Sequence, residues 1–428
     1  MNLALFAGGL LALTLPVIPA LAQGAPPTVT VGLTYPDYLH RVGEANLDLV
    51  AERAGVDQAD ARIDLARVFP SPRLSGGVSM VDVSGTSAPT MTLLQLDVPV
   101  DLSDRVGHRT ALASAQAREA HAQLDATAWS LRAEAGTAWV DALYAQAVLD
   151  RTQRALATFE RVIEIDRQRL EAGSIGEVQV LQSRVEAERY RGRVLEASAE
   201  LDASLLVVSR MMGNAPSRAP AVVAGSLEVP AHDLDATALV ELARTHRPDV
   251  QAARATAVSA HEARSLVSSE RMFDLVLSVN WQHSFPSIGT PFNTPDYDTL
   301  GVLASAELPV RLFWHGDVDQ AEARIVEADT RVAAVELLVD VEIRAALARY
   351  EAARRRVELY RGTILDDAER VREAAFYAYQ RGSGSLLEVL IAQRTADDVY
   401  LEYYDALATH ARLLVELERV TGSELVTF

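Results

Sequence analysis

The chain has 428 residues, of which 49% are hydrophobic and 6% aromatic, with mean hydropathy near zero; so much Ala, Leu, Val, Glu and Arg marks a helix-rich protein and excludes a bundle of membrane-spanning helices. Lysine is absent, and 59 acidic residues against 40 arginines give a net charge of −19, which disfavours nucleic acid and other polyanions and suits cationic cargo or simple solubility. Cysteine is absent too, which excludes disulfides, thiolate metal sites and a lipid on an N-terminal cysteine.

Residues 1–22 carry no charge, hold a long apolar run and end in Ala20-Leu21-Ala22, a small-x-small site before Gln23. This is the pattern of a secretory signal peptide; as a transmembrane anchor the run is short and is broken by Pro16 and Pro19. From 35 to 68 apolar residues recur at three- and four-residue spacing, as in an amphipathic helix or a broken pair. The period then drops to two over about residues 73–84 and 89–100, a pair of strands joined by SGTSAP. Helical periodicity resumes from Asp104 to Glu171, enough for a rod on the order of 100 Å at ~1.5 Å per residue. Gly173 and Gly176 mark a turn, and a second helix runs back to Gly213, a glycine in a C-cap position. Residues 216–233 form a proline-rich linker.

Residues 234–428 repeat this plan. Helical spacing over 234–268 gives way to a strand with Leu275, Leu277, Val279 and Trp281 on one side and Ser278, Asn280 and Gln282 on the other. After a Pro-, Gly- and Asn-rich loop, Leu300, Val302, Ala304 and Ala306 alternate in the same way. A second rod runs from Gly316 to Gln380, interrupted only by lone glycines such as Gly362, then turns at Gly382, Gly384 and Ser385 and returns to Gly422. At a fixed shift of 209, Gly173 falls on Gly382, Val180 and Leu181 on Val389 and Leu390, and Arg210 and Gly213 on Arg419 and Gly422. Nearer the start of each half, at a shift of 201, residues 46–49 (NLDL) fall on 247–250 (RPDV). Self-similarity at a large shift marks a duplicated unit, so residues 23–215 and 234–428 form two structural repeats. Each half offers two long strands and no third. Two strands make no stable sheet, and closure into a barrel shared with other copies removes their exposed edges.

Taken together, the chain resembles the TolC-type outer-membrane efflux proteins over essentially its whole mature length. The resemblance is carried by residues 379–394 (YQRGSGSLLEVLIAQR), their echo at 169–184 (RLEAGSIGEVQVLQSR), 247–255 (RPDVQAARA), and 70–74 (PSPRL) leading into the first strand. The strand exits 99–102 (PVDL) and 309–312 (PVRL) also fit. The resemblance implies a mainly α fold with a small β part. Long antiparallel helical hairpins form a trimeric α-barrel crossing the periplasm, and four strands per protomer enter a 12-stranded β-barrel in the outer membrane. It further implies a homotrimer acting as a passive exit duct for small molecules or ions. The duct docks to a periplasmic adaptor protein and an inner-membrane pump, in an efflux or type I secretion system.

The resemblance also assigns roles near the turns. Gly173, Gly176, Gly382, Gly384 and Ser385 fall at the periplasmic tip used for adaptor contact; the same residues serve an ordinary helical hairpin. Glu388 takes a gate-ring position, where three carboxylates near one axis attract cations; the alternative is a solvated helix face. The second ring position is Ile391, an apolar constriction. Tyr379 matches the tyrosine of a closing link, but its acidic partner falls on Gln179, and the second link falls on Gly384 and Val178, so the family's own bonds are lost here. Phe273, Trp281, Phe285 and Phe292 are candidate membrane-interface anchors, or packing partners of neighbouring strands. No catalytic or cofactor motif is present: His261-Glu262 lacks the second histidine of a zinc helix, and no Gly-rich phosphate loop follows a strand. The competing reading is a periplasmic coiled-coil scaffold or adaptor without a membrane barrel.

Overall fold

The computed structural model describes residues 32–79, 82–83, 86–87, 91–215, 223–230, 233–285, 296–307 and 313–425. The expected signal peptide, Phe292 and much of the proline-rich linker lie outside the described residues.

Each half opens with a bent helical pair. Helix α1 (Tyr35–Ala45) ends at Asn46, whose extended backbone breaks the helix and whose side chain caps α2 (Leu47–Ala66) by accepting from Asp48 N at 2.9 Å and Leu49 N at 3.4 Å. In the second half α5 (Ala236–His246) ends at Arg247, and Pro248 starts α6 (Pro248–Ser269), where a missing N–H costs nothing. Both bend residues are buried and point at the end of a distant helix. Asn46 Nδ2 donates to Met211 O at 3.0 Å and Arg247 Nη1 to Val420 O at 3.4 Å; Arg247 also pairs with Asp249 and Glu342. The helices they reach are α4 (Glu177–Met211) and α9 (Leu386–Thr421), closed by Gly213 and Gly422 at φ +70° and +69°. These glycines are required twice: by the left-handed backbone, and because a Cβ at Gly213 overlaps Ala45 O and one at Gly422 lies 2.8 Å from Arg247 Cα.

Four strands form one antiparallel sheet in the order β1-β4-β5-β6, with β1 Arg73–Ser79, β4 Met91–Val100, β5 Asp274–Ser284 and β6 Tyr297–Glu307. The short pair β2 (Asp82–Val83) and β3 (Thr86–Ser87) lies between β1 and β4 in the chain. Of the expected strand 73–84, β1 covers 73–79 and β2 82–83, and residues 80–81 and 84 lie outside the described residues. The register sets Leu96, Val279 and Val302 side by side, then Leu94, Trp281 and Leu300. Residues of period two thus give one apolar face. The other face is polar, with Asp97 accepting from Ser278 Oγ and Gln95 Nε2, both at 2.6 Å. Because β4 pairs with β5, the sheet joins the two halves, while β1 and β6 keep an open edge each among the described residues.

The sheet hands over to the long helices through side chains that satisfy backbone groups. Asp101 accepts from Arg105 N at 2.9 Å and Val106 N at 2.8 Å, at the start of α3 (Arg105–Glu171). Arg109 donates to Ala66 O and Val68 O, and Arg271 to Trp314 O and Asp317. Helix α3 is continuous for 67 residues. It passes unbroken through Gly136, where a Cβ would lie 2.9 Å from Tyr35 Oη and 3.0 Å from Val415. The second rod, expected to be interrupted only by lone glycines such as Gly362, departs from the α-helix around that residue. Helix α7 (Gly316–Leu359) gives way to a π-helical turn at Tyr360–Ile364, and α8 (Leu365–Arg381) follows. The principal core surrounds Trp139, which stacks on Tyr38 at 5.1 Å and packs with Leu143, Leu414 and Val415. Along α3, α2 and α6 pack on the sheet-proximal part, and α4 and α9 on the distal part. Among the described residues no helix is long and apolar enough to cross a membrane.

Asn46 joins a cap to a buried tertiary bond, so Asn46→Ala is expected to destabilise the folded chain by roughly 1–3 kcal/mol, read as a lowered urea midpoint of the detergent-solubilised protein.

Candidate functional site

Both long hairpins turn at the same end. The first turn closes by Gly173 N to Leu170 O and Ser174 N to Arg169 O, each 2.9 Å, with Gly173 at φ +71°. The second closes by Gly382 N to Tyr379 O at 3.0 Å, with Gly382 at φ +78°; both are helix ends that need a left-handed residue. Gly384 packs tightly, since a Cβ there lies 3.1 Å from Ala378 Cβ. Gly176 is extended, with open space around it, and no conformation requires it to be glycine. Ser385 and Glu388 form a capping box at the start of α9: Ser385 N donates to Glu388 Oε2 at 2.8 Å, and Glu388 N to Ser385 Oγ at 3.3 Å. Glu388 is exposed, as is Ile391, one helical turn further on.

Behind the turns lies a buried polar cluster. The Tyr379 phenol on α8 donates to Asp166 Oδ1 on α3 and accepts from Gln179 Nε2 on α4 at 3.0 Å. Asp166 is fully buried, and its second oxygen accepts from Ser183 Oγ. The Arg169 guanidinium lies 4.6 Å over the Tyr379 ring and donates to Tyr379 O. Val162, Leu386 and Val389 close the packing. Burial and then the bond to Asp166 push the Tyr379 hydroxyl up to about 12, against opposing pulls from Gln179 and Arg169. It is therefore a proton donor at any physiological pH.

The acid missing from the expected link is thus supplied by another helix. The family position on α4 is Gln179, and Asp166 answers from α3. Its signal was in the sequence: Ala155, Phe159, Val162 and Asp166 share one buried stripe at helical spacing, and an acid in such a stripe needs a partner. Gly384 and Val178 contribute no side-chain bond to the cluster.

Farther from the turns the same stripe begins with Arg151. Its Nη2 lies 2.8 Å from Asp397 Oδ1 of α9, whose carboxylate also accepts from Tyr190 Oη of α4 at 2.8 Å and Gln393 Nε2 at 2.9 Å. All four residues are buried, and the Tyr190 hydroxyl is pushed up by burial and then by Asp397. This node joins α3, α4 and α9, and the sequence reading missed it.

At the sheet, Trp281 stands partly exposed on the apolar face and stacks on His283, which meets Phe285 edge-on at 4.3 Å. Phe273 is partly exposed at the opposite end, just before β5. Phe69, Phe313 and Trp314, not singled out in the sequence, are largely exposed near that end. Among the described residues no group of three or more His, Asp or Glu side chains is arranged to hold a metal ion.

One sheet with an apolar face is thus carried at the end of a long helical bundle. The sequence matches the model of the outer membrane efflux protein family over residues 39–214 and 239–423. The chain belongs to that family. It is 24% identical to the cobalt-zinc-cadmium resistance protein CzcC of Cupriavidus metallidurans, over 95% of this chain and 92% of that one. Among solved structures it is similar to CusC, with a TM-score of 0.73 at 18% identity, covering 90% of this chain and 91% of that one. It is also similar to the outer membrane protein VceC of Vibrio cholerae, with a TM-score of 0.71 at 18% identity over 90% and 95%. The protein is accordingly an outer-membrane efflux protein whose helical tube reaches into the periplasm, and the scaffold reading without a barrel is not favoured.

Tyr379→Phe is expected to leave Asp166 short of a donor and to loosen α8 from α3, so that amides of residues 376–390 exchange several-fold faster with deuterium. The stabilisation depends on a protonated phenol whose pKa is raised on folding. It is fully present below the ordinary tyrosine range near ~10 and is lost as pH rises through about 12. The wild-type protection of this segment should therefore persist at pH 10 and fall toward pH 12.

Proposed function

We propose that three copies of this chain form a passive exit duct, each giving four strands to one barrel and its long helices to one tube. The observation that carries this is the sheet, amphipathic across its faces and unpartnered at β1 and β6, which only neighbouring strands can complete in a bilayer. Exposed apolar residues on helices packed along one side support it: Val178, Leu181 and Val185 on α4, and Val371 and Tyr377 on α8. Trp281 and Phe285 at one end of the band, and Phe273 with Phe313 and Trp314 at the other, are the interface anchors of this reading.

The hairpin turns at Gly173, Gly176, Gly382, Gly384 and Ser385 are the docking face for a periplasmic adaptor, which couples the duct to an inner-membrane pump. Tyr379 with Gln179 and Asp166 is the latch of the closed tip, Glu388 contributes a carboxylate ring and Ile391 an apolar constriction. The cargo is cationic: the chain carries −19 net charge, and the relative noted above is named for cobalt, zinc and cadmium resistance.

Fractionation tests the assembly: the mature chain is expected in outer membranes as a detergent-stable trimer, and a soluble periplasmic monomer would contradict it. Glu388→Gln tests the ring without disturbing the cap, since glutamine also serves in a capping box. Its cation-over-anion permeability ratio in planar bilayers is expected to fall, and an unchanged ratio removes Glu388 from the ring. Deletion of the gene is expected to sensitise cells to divalent transition-metal ions more than to neutral drugs; the reverse order contradicts the cargo assignment.

A further inference from the structure

The helices that carry the main core have a second side. On α3, Ala135, Trp139 and Leu143 face the core, together with Tyr38 of α1 and Val223 and Leu227 of the linker. At about 100° per residue, Ser130, Glu134, Thr137, Asp141 and Tyr144 form one stripe on the opposite face of the same helix. That stripe floors an open cleft of about 880 Å³ flanked by α4 and α9. Toward the sheet it continues through Gln116, Glu119 and Gln123, which line a smaller cleft with α6 and α7. The core side is covered by an added layer of helix and linker, so the stripe side is the one left to line a bore.

The larger cleft joins an apolar floor to a polar rim. Ala133, Ala138 and Val415 supply the floor, and Val207 of α4 stands exposed beside it. Around them Arg412 pairs with Asp141 at 2.6 Å and Arg419 with Glu416 at 2.7 Å. Glu134 and Glu200 are exposed and, among the described residues, have no ion-pair partner. Carboxylates therefore outnumber guanidinium groups in the lining. The Arg412 guanidinium also lies over the Tyr144 ring, 5.8 Å from its centre. The wall thus already holds one planar organic cation between a carboxylate and an aromatic face, contacts that suit such a group.

We propose that this cleft binds amphipathic organic cations, as a waypoint in the wall of the bore. The apolar body of the ligand rests on Ala133, Val207 and Val415, and its charged group is met by Glu134 and Glu200. The proposal rests on the reading of the helices as one tube for cationic cargo, and it names a class of that cargo. A volume of about 880 Å³ suits a drug-sized ligand better than a bare ion. Among the described residues no three acidic or histidine side chains converge to strip a metal ion of its water. The cleft lies about 50 Å from the turns by helix rise, so it is separate from Glu388 and Ile391 at the tip.

Ethidium, a planar aromatic cation, is the probe, read by fluorescence anisotropy on the full-length detergent-solubilised protein with empty micelles as the blank. Benzyltrimethylammonium is expected to displace it at a concentration roughly tenfold below that of tetramethylammonium, which has the charge without the apolar body. Glu134→Gln combined with Glu200→Gln is expected to raise the dissociation constant roughly tenfold, and Val207→Ser about threefold. Arg412→Gln, which frees Asp141 and Tyr144, is expected to lower it. Zinc ions displacing the dye as well as benzyltrimethylammonium does, with Val207→Ser without effect, would show attraction by charge alone and overturn the proposal. So would a loss of binding in Glu388→Gln equal to that of the double variant, which puts the dye at the tip. Block of single-channel current by ethidium separates the site from the tube. Binding that the double variant weakens, with no block of current, keeps the cleft and removes it from the bore. An open channel with no dye binding to the solubilised protein keeps the tube and removes the site.

Discussion

Backbone polarity in hydrocarbon is the constraint on which this architecture depends. A strand edge inside a bilayer leaves N–H and C=O groups with no water to bond, at a cost of several kcal/mol for each group. The chain builds a sheet with an apolar face at the register of Leu94, Trp281 and Leu300, yet among the described residues that sheet has four strands and leaves β1 and β6 open. Everything that makes the sheet suited to lipid therefore makes a single chain incomplete. In the proposed assembly, three copies close the circle and set the helices beneath them into a tube. The junction must be rigid for this to work. Asp101 caps α3, while Arg109 and Arg271 hold carbonyls of the adjoining segments, so the strand direction is passed to the rods.

From that end the fastening thins toward the turns. Trp139 and its neighbours bind α1, α3 and α9 in a continuous core. The bends at Asn46 and Arg247 clamp the ends of α4 and α9 through Met211 O and Val420 O. Nearer the tip the core divides into two small clusters, around Phe159 and around Tyr379, each joined to a buried polar group. A polar bond in such a place holds one geometry firmly, and it can be exchanged for another at moderate cost because little apolar area changes with it. A long apolar seam offers no such choice. On the proposed reading, the duct is permanent where it meets the membrane and adjustable where it meets its partners.

Much of this was legible from periodicity. The change from helical spacing to period two located all four strands, and glycine placement located both turns and both helix ends. The bend residues lay on matching positions of the two halves, Asn46 over Arg247. Three features were not legible. The π turn leaves no mark beyond a lone Gly362, since the same residue type at Gly136 is demanded instead by Tyr35 and Val415. Asp166 was overlooked because the partner of Tyr379 was sought at the family's position on α4, while tertiary packing had moved the carboxylate to α3. Arg151 and Asp397 lie on different halves, and no local pattern pairs residues that far apart. The exposed Phe313 and Trp314 follow a strand exit whose neighbours 308–312 lie outside the described residues.

The central claim is that strand β6 of one copy pairs with β1 of the next, and a cysteine-free chain allows it to be tested covalently. A cysteine at Gly76 of β1 is combined in turn with one at Leu300, Val302 or Ala304 of β6, and outer membranes are oxidised before denaturing electrophoresis. The account predicts one register that yields dimers and covalently closed trimers, with neither single-cysteine control giving trimers. Monomers alone in every register, with both cysteines shown to be reactive, would contradict it.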